Sequence, residues 1–560
     1  MSKNISHFSR GGQVWAHKVR MLGQVLKIST KMSLVLSLGY FLIKALKMLS
    51  FKGIYFSCIA WWAACKLFVG SALNVKEIRI SFYDDQWYTW PANYFLAHPY
   101  VNRIMGQTER GCDALFSSET LTSFLIIGFI SYIAVFAYFY VQGKNVGATI
   151  HKRGLSLVSL KALIKEMKKR DLVGDFHLDG VPLVKGAETS HMLIAGTTGS
   201  GKTNTFHHLL PQIRAKGQKA IIVDVTGDLT AKYFDAERDI ILSPGHSETA
   251  HWNPWLDATD IYAYQGMADA FIGASTSNDP FWTEAAKACL AASFEKLSGQ
   301  QDLKELIRIL LKSDLQEFSS FLQGTAAAAF ADSKGERTTV SIRATLASKI
   351  RSLDVMADTT GDFSIKEWMN NGEAGWLFLS TPPSKRQLLC PLITAQIAVA
   401  VQSLMDMGAK QDRRLWFVLD ELPALNKISS LQTLLTEGRK YGACTIVGVQ
   451  DMPQLETRYG TKETKTLLNQ LNTKVLFRFT DPHGSQFASR ILGEKEETEV
   501  KENLSYGANT IRDGVSMNEI TKKENVIMPT EIAALKNLEC YIKLPENLPL
   551  LKHNMRWAGD

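Results

Sequence analysis

One stretch restricts the possible folds of this chain more than any other: "HMLIAGTTGSGKTNTFHHLL". An apolar run at 191–195 leads into Gly196, Thr197, Thr198, Gly199, Ser200, Gly201, Lys202 and Thr203, and a helix-compatible run follows. Strand, glycine-rich loop and helix in that order make a phosphate-binding loop. The glycines let successive backbone N–H groups turn toward phosphates, Lys202 reaches the β- and γ-phosphates, and the Thr203 hydroxyl holds Mg²⁺. The chain is therefore expected to bind ATP with Mg²⁺. Such a loop sits at the carboxyl end of a strand in a parallel sheet, so the remaining site residues should emerge along the same edge.

Short apolar runs downstream suit strands buried on both faces: "KAIIVDV" at 219–225, "DIILS" at 239–243, "GWLFLS" at 375–380, "LWFVLDE" at 415–421, "CTIVGVQ" at 444–450 and "KVLFRF" at 474–479. They predict a mainly parallel sheet with helices on both sides. The run at 415–421 ends in Asp420 and Glu421, which places one carboxylate beside the Mg²⁺ and a second where it can orient and deprotonate water. Gln450 ends the next run, where its amide can sense the γ-phosphate or the water. Together these residues predict an ATPase.

Between the halves of the sheet, residues 256–355 carry the spacing of helices rich in Ala, Leu, Lys and Glu. An all-α insertion is expected there, between nucleotide-binding segments at 151–255 and 356–560. Within it, "LSGQQ" at 297–301 resembles the signature of ABC transporter ATPases, but more than a hundred residues separate it from the acidic strand end. It is read as a turn between helices. His207 and His208, on the helix after the loop, form no metal-ligand pattern, and the seven cysteines include no C-x-x-C. A structural zinc or disulfide framework is not expected.

The first 150 residues differ in kind. The stretch 121–141 holds no charge and is long enough to cross a hydrocarbon core. Lys144, Lys152, Arg153, Lys161, Lys165, Lys168, Lys169 and Arg170 follow it, which by the positive-inside rule makes that side cytoplasmic. No Asp or Glu precedes Glu77, whereas basic residues are frequent there. With both ends cytoplasmic the crossings must be even in number. The segment 32–49 is expected to span, with Lys44 and Lys47 snorkelling, and 53–70 to lie at the interface beside a small periplasmic region.

The loop, the helical insertion and "WFVLDELPAL" stand beside further motifs: "GGQ" with "RMLGQ", "CIAWW", "DPFW" at 279–282, "SIRA" at 341–344, "EGRKYGACTIVGVQD", "ILGEKE" at 491–496 and "SYGANTIRDGVS" at 505–516. Together they resemble the type IV coupling proteins of conjugation systems, in particular those of the F-plasmid type. The resemblance covers nearly the whole chain. It implies a homo-hexameric ring ATPase with a RecA-like P-loop NTPase core of α/β class, an inserted all-α domain and an N-terminal transmembrane anchor in the bacterial inner membrane. It further implies partners: single-stranded DNA, the relaxase and relaxosome accessory proteins, and components of the type IV secretion channel. By the same resemblance Arg439, in "EGRKYG", is a finger entering the neighbouring subunit's site. F-type relatives continue in a polar tail, whereas this chain ends at "LKHNMRWAGD", so relaxosome docking is expected on the all-α domain. A membrane platform for protein cargo, with hydrolysis as a switch, remains the alternative reading.

Overall fold

The computed structural model describes residues 2–73, 77–81, 86–146, 150–273, 280–331, 335–357, 361–410, 412–505 and 514–558. Asp279 of "DPFW" and positions 506–513 of "SYGANTIRDGVS" lie outside the described residues. Two compact units divide the chain: Met1–Ile150 with Thr498–Ile520, and His151–Glu497 with Thr521–Asp560.

In the first unit, α1 (Ser2–Met48) packs along a second long helix, Ser118–Val146, and α2 (Phe51–Leu73) lies between them in sequence. Two stretches here are long and apolar enough to cross a membrane, Val19–Met48 and Ser118–Gln142. The expected span at 32–49 is thus the end of a far longer helix. Its polarity is inverted relative to a soluble helix. Val35, Leu36, Leu38, Leu42 and Ile43 are exposed, whereas Ser29, Ser33 and Ser37, one turn apart, are buried. Ser33 Oγ donates to Gly128 O at 2.5 Å, and Ser131 Oγ donates to Ser33 Oγ at 3.2 Å. A Cβ on Gly128 would stand 2.9 Å from Ser37 Oγ, so a larger residue there would displace that hydroxyl. Small residues that let backbones meet, with hydroxyls bonding across the seam, are how helices associate in lipid. Lys44 Nζ donates to Thr120 Oγ1 at 2.6 Å, pairing the end of one helix with the start of the other.

The segment 53–70 falls within α2, which buries Phe56, Ala60 and Ala63 in a small core with Ile78, Ile80, Phe95 and Val101. Ile78 and Ile80 come from a hairpin of Glu77–Ser81 and Trp87–Pro91. Trp61, Trp62 and Phe68 on α2 remain exposed.

The second unit is built on a ten-stranded sheet. In chain order its strands are β1 (Leu157–Val158), β2 (Met192–Ala195), β3 (Lys219–Asp224), β4 (Ile240–Leu242), β5 (Trp376–Ser380), β6 (Leu415–Leu419), β7 (Ala443–Val449), β8 (Thr473–Leu476), β9 (Glu539–Lys543) and β10 (Leu550–Asn554). Their spatial order is β1-β10-β9-β8-β2-β7-β6-β3-β5-β4. All pairs are parallel except those made by β9, which runs against both β8 and β10. The central strands are buried throughout, and alternate residues serve opposite faces. Leu193, Ile221 and Phe417 join one apolar cluster; Ile194, Ile222 and Val418 join the other. This two-sided burial is why the strands read as unbroken apolar runs.

Helices fill the chain between β4 and β5, from Pro254–Asp257 to Ile365–Asn370, and pack on one sheet face. They therefore extend beyond the expected 256–355. Their starts are set by side-chain caps: Asp260 accepts from Ala263 N, Asp302 from Lys304 N and Asp314 from Glu317 N. The two ends of the segment are tied by Asp257. Its buried carboxylate accepts from Trp252 Nε1 at 2.6 Å, Ser364 Oγ at 2.6 Å, Ile365 N at 3.1 Å and Lys366 N at 2.8 Å. Residues 297–300 form the turn after helix Phe281–Lys296. A third helix with the length and composition to cross a membrane, Pro383–Asp406, lies in this unit with 67% of its window buried.

Candidate nucleotide site

The loop after β2 folds as its glycines demand. Gly196, Gly199 and Gly201 have φ of 155°, 72° and 123°, the last two in a region closed to most side chains. Thr197 N donates to Arg478 O at 2.8 Å, and Ser200 Oγ donates to Thr197 O at 2.6 Å. The helix Lys202–Ala215 starts directly behind the loop, so its first backbone N–H groups face the same space. Lys202 is buried, and its Nζ donates to Thr197 O across the loop at 3.2 Å. Thr203, on the first turn, is half-buried.

The sheet brings Asp420, Glu421 and Gln450 to the same edge. Asp420 and Glu421 directly follow β6, and Gln450 follows β7. Gln450 joins the groups physically. Its Oε1 accepts from Thr198 Oγ1 at 2.7 Å, and its backbone N–H donates to Glu421 Oε1 at 3.2 Å. Glu421 Oε2 is buried with no hydrogen-bond partner. A carboxylate oxygen left in this state costs free energy unless something else at the site engages it.

Electrostatics follow from burial. Loss of solvent pushes the Asp420 carboxyl up to about 6, and the Asp224 charge adds to the effect against the opposing Thr226 hydroxyl and Lys202 ammonium. Burial pushes Glu421 up to about 7, opposed by the Gln450 N–H and by Lys202. Burial lowers Lys202, with Glu421 and Asp420 pulling it back. Each charge is costly alone; Lys202 supports both carboxylates, whereas the Asp420 charge opposes that of Glu421.

Two site residues carry no motif and were missed by the sequence. Asp224, at the end of β3, accepts from Thr226 N, Thr226 Oγ1, Gly227 N, Thr230 N and Thr230 Oγ1, at 2.7 to 3.1 Å. Thr226 Oγ1 also stands 3.2 Å from Asp420 Oδ2. One hydroxyl is thus shared by two carboxylates, and it fixes Asp420. An acid closing an apolar strand was the available signal. Arg386 was missed too; its Nη2 donates to Val225 O at 2.5 Å while its Nε is buried without a partner.

Arg439 is not brought to this edge. It is exposed, on the turn Gly438–Tyr441 before β7, whereas Gln450 lies beyond the other end of that strand. Seven extended residues put roughly 23 Å between the two ends of β7. The turn is held by His191, whose Nδ1 accepts from Thr445 N at 3.2 Å and whose Nε2–H donates to Leu435 O at 3.1 Å. Burial lowers His191 to about 4 and keeps it neutral in that tautomer. His207 and His208 are structural: His207 Nδ1 meets Tyr233 OH at 3.0 Å and His208 Nε2 meets Arg556 O at 3.0 Å.

A chain with this phosphate loop, acidic strand end and helical insertion is similar to known proteins. The sequence profile of the type IV secretion-system coupling protein DNA-binding domain matches residues 175–556. The chain belongs to the type IV secretion-system coupling protein family. Coupling protein TraD of Escherichia coli K12 is 28% identical over 578 residues, covering 100% of this chain and 78% of TraD. Among solved structures, the bacterial conjugative coupling protein TrwBdeltaN70, unbound, is similar with a TM-score of 0.65 and 29% identity, covering 73% of this chain and 93% of that chain. The plasmid coupling protein TrwB in complex with ADP and Mg²⁺ matches with a TM-score of 0.63 and 29% identity, covering 73% of this chain and 95% of that one. The fold of this coupling protein is accordingly a RecA-like P-loop NTPase core with an all-α domain.

Proposed function

We propose that this coupling protein is a ring-forming ATPase of the bacterial inner membrane that links the relaxosome to a type IV secretion channel and drives single-stranded DNA through it. The observation that carries the reading is the line Thr198, Gln450, Glu421, which runs from the phosphate loop to a buried carboxylate oxygen without a partner. The residues fit ATP and Mg²⁺. A loop of turned N–H groups, a buried ammonium, a half-buried threonine hydroxyl and two carboxylates provide every kind of contact a triphosphate and its metal need. When bound, Mg·ATP supplies a γ-phosphoryl group for transfer to water.

The chain's own groups then have separate tasks. Lys202 and the N–H groups of Gly199, Gly201, Lys202 and Thr203 hold phosphate charge, and Thr203 with Asp420 would hold the metal. Glu421 takes a proton from water at Oε2, and Gln450 reports to it whether the loop is filled. Since Arg439 stands at the far end of β7, its guanidinium serves the site of a neighbouring copy, which makes an isolated subunit incomplete. Such fingers stabilise charge on the transferring group. The inverted seam of Ser29, Ser33, Ser37 and Gly128 supports a two-span anchor, Val19–Met48 and Ser118–Gln142, with the basic stretch after it on the cytoplasmic side.

Mixing two inactive variants tests the shared site. Glu421→Gln disables its own site but keeps Arg439; Arg439→Ala does the reverse. Each alone should be inactive, and the mixture should recover a measurable part of wild-type hydrolysis. A mixture as inactive as its components contradicts the finger. Lys202→Ala should abolish both hydrolysis and DNA transfer, and full transfer in that variant contradicts the motor. ATPase activity should rise with pH through about 7, because Glu421 must be ionised to act as base.

A further inference from the structure

On the side of the phosphate loop away from the carboxylates lies a built feature with no assigned role. In the sheet, β2 has β7, β6 and β3 on one side, and these deliver Gln450, Glu421, Asp420 and Asp224. Its other side holds β8, β9 and β10. Because β9 runs against its neighbours, the start of β9 and the end of β10 both reach the edge where the loop sits.

The backbone there is fastened to the loop and to the helix behind it. Leu538 N donates to Ser200 O at 2.9 Å, and Met555 N donates to Leu538 O at 2.9 Å. Asn204, the residue after Thr203, is 2% exposed and grips the chain end twice. Its Nδ2 donates to Arg556 O at 2.8 Å, and its Oδ1 accepts from Ala558 N at 2.8 Å. The side chain of Arg556 is held as well, by Asp179 Oδ1 at 2.8 Å. Between these two clamped peptides, Trp557 is 61% exposed. A buried carboxamide thus fixes both flanks of an indole that is left in water.

With the carboxylates on one side of the loop, a triphosphate whose γ end lies toward Glu421 leaves the side of β8, β9 and β10 for its sugar and base. We infer that Trp557 is the base-stacking platform of the nucleotide site, taking the π-face of a purine ring. The inference rests on the nucleotide reading above. Stacking tolerates any base with a π-face, so ATP and GTP should be held about equally.

The test is equilibrium binding to the full chain in detergent, with Mg²⁺ and three probes: non-hydrolysable ATP and GTP analogues, and inorganic tripolyphosphate, which has no base. Trp557→Ala should weaken both analogues by on the order of tenfold and leave tripolyphosphate unchanged, while Trp557→Phe restores most of the loss. Unchanged affinity for the analogues overturns the platform. So does a parallel loss of tripolyphosphate, which would make the segment only a prop for the loop. Lys202→Ala separates the two levels: retained binding of all three probes would refute the nucleotide site itself, whatever Trp557 does.

Discussion

Two of the three described helices that are long and apolar enough to cross a membrane live in opposite surroundings. Ser118–Gln142 has none of its most apolar stretch buried within the chain, whereas Pro383–Asp406 has 67% of that stretch buried, chiefly among neighbouring helices. The same contrast runs through the two units. In the nucleotide unit Phe417, Val418 and Leu379 are buried; along Val19–Met48 and the start of Ser118–Val146 it is Ser29, Ser33, Ser37 and Thr120 that are buried, while Leu36, Leu42, Leu125 and Phe129 are exposed. Apolar composition therefore reports only that a helix avoids water. Which neighbour excludes the water, protein or lipid, is written in where the small and polar residues fall.

This contrast can be broken from either side. The largest effect should come from the protein-filled core, where Phe417→Ala removes a fully buried ring from β6. It should cost about 3–5 kcal/mol, seen as a lower denaturation midpoint of the full chain. Next is the lipid-facing surface. Leu36→Asp places a charge on an exposed position of α1 and should cost about 2.5–3.5 kcal/mol of membrane insertion, measured as loss of the chain from the membrane fraction. The same change at an exposed position of the nucleotide unit, Tyr262→Asp, should stay within about 0.5 kcal/mol. Equal effects at the two sites would mean that α1 does not face lipid.

Glu421→Gln should raise stability while abolishing turnover. An acid whose value is raised on folding makes the native state bind more protons than the unfolded chain. Stability conferred by its protonated form is thus lost as pH rises from 4.5 through about 7. The glutamine variant lacks that loss, with a gain on the order of 2 kcal/mol at neutral pH in thermal denaturation. A lower midpoint for the variant at pH 7.5 would show that the ionised carboxylate is well paired after all. Smallest is the seam: Ser33→Ala gives up the bond to Gly128 O and should weaken helix association by about 0.6 kcal/mol. Gly128→Leu, which meets Ser37 Oγ, should do more.

The sequence made legible what repeats as pattern. The loop, the apolar strands and the acidic strand end were readable because two-sided burial leaves unbroken apolar runs and phosphate binding needs glycine. Less legible was anything set by pairing. The antiparallel strand β9 and its neighbour β10, in "ECYIK" and "LLKHN", are too short and mixed to stand out, yet they bring Leu538 to the loop and residues 556 and 558 to Asn204 behind it. The helix 386–406 also escaped, since its apolar run is interrupted by Pro391 and resembles a span. Asp224 lies in the apolar run "KAIIVDV", but its link through Thr226 to Asp420 exists only once β3 and β6 lie side by side. Arg439 could be tied to the site by resemblance alone, because its distance from the local carboxylates is a property of the fold.

The account stands or falls on ATP hydrolysis by the full chain in lipid vesicles, measured with and without single-stranded DNA over a range of protein density. Under the proposal that each site takes a neighbour's Arg439 and that a ring closes around its cargo, turnover per chain should rise cooperatively with density and increase further with DNA. A rate per chain independent of both density and DNA would contradict the ring motor and favour a docking platform that hydrolyses ATP as a switch.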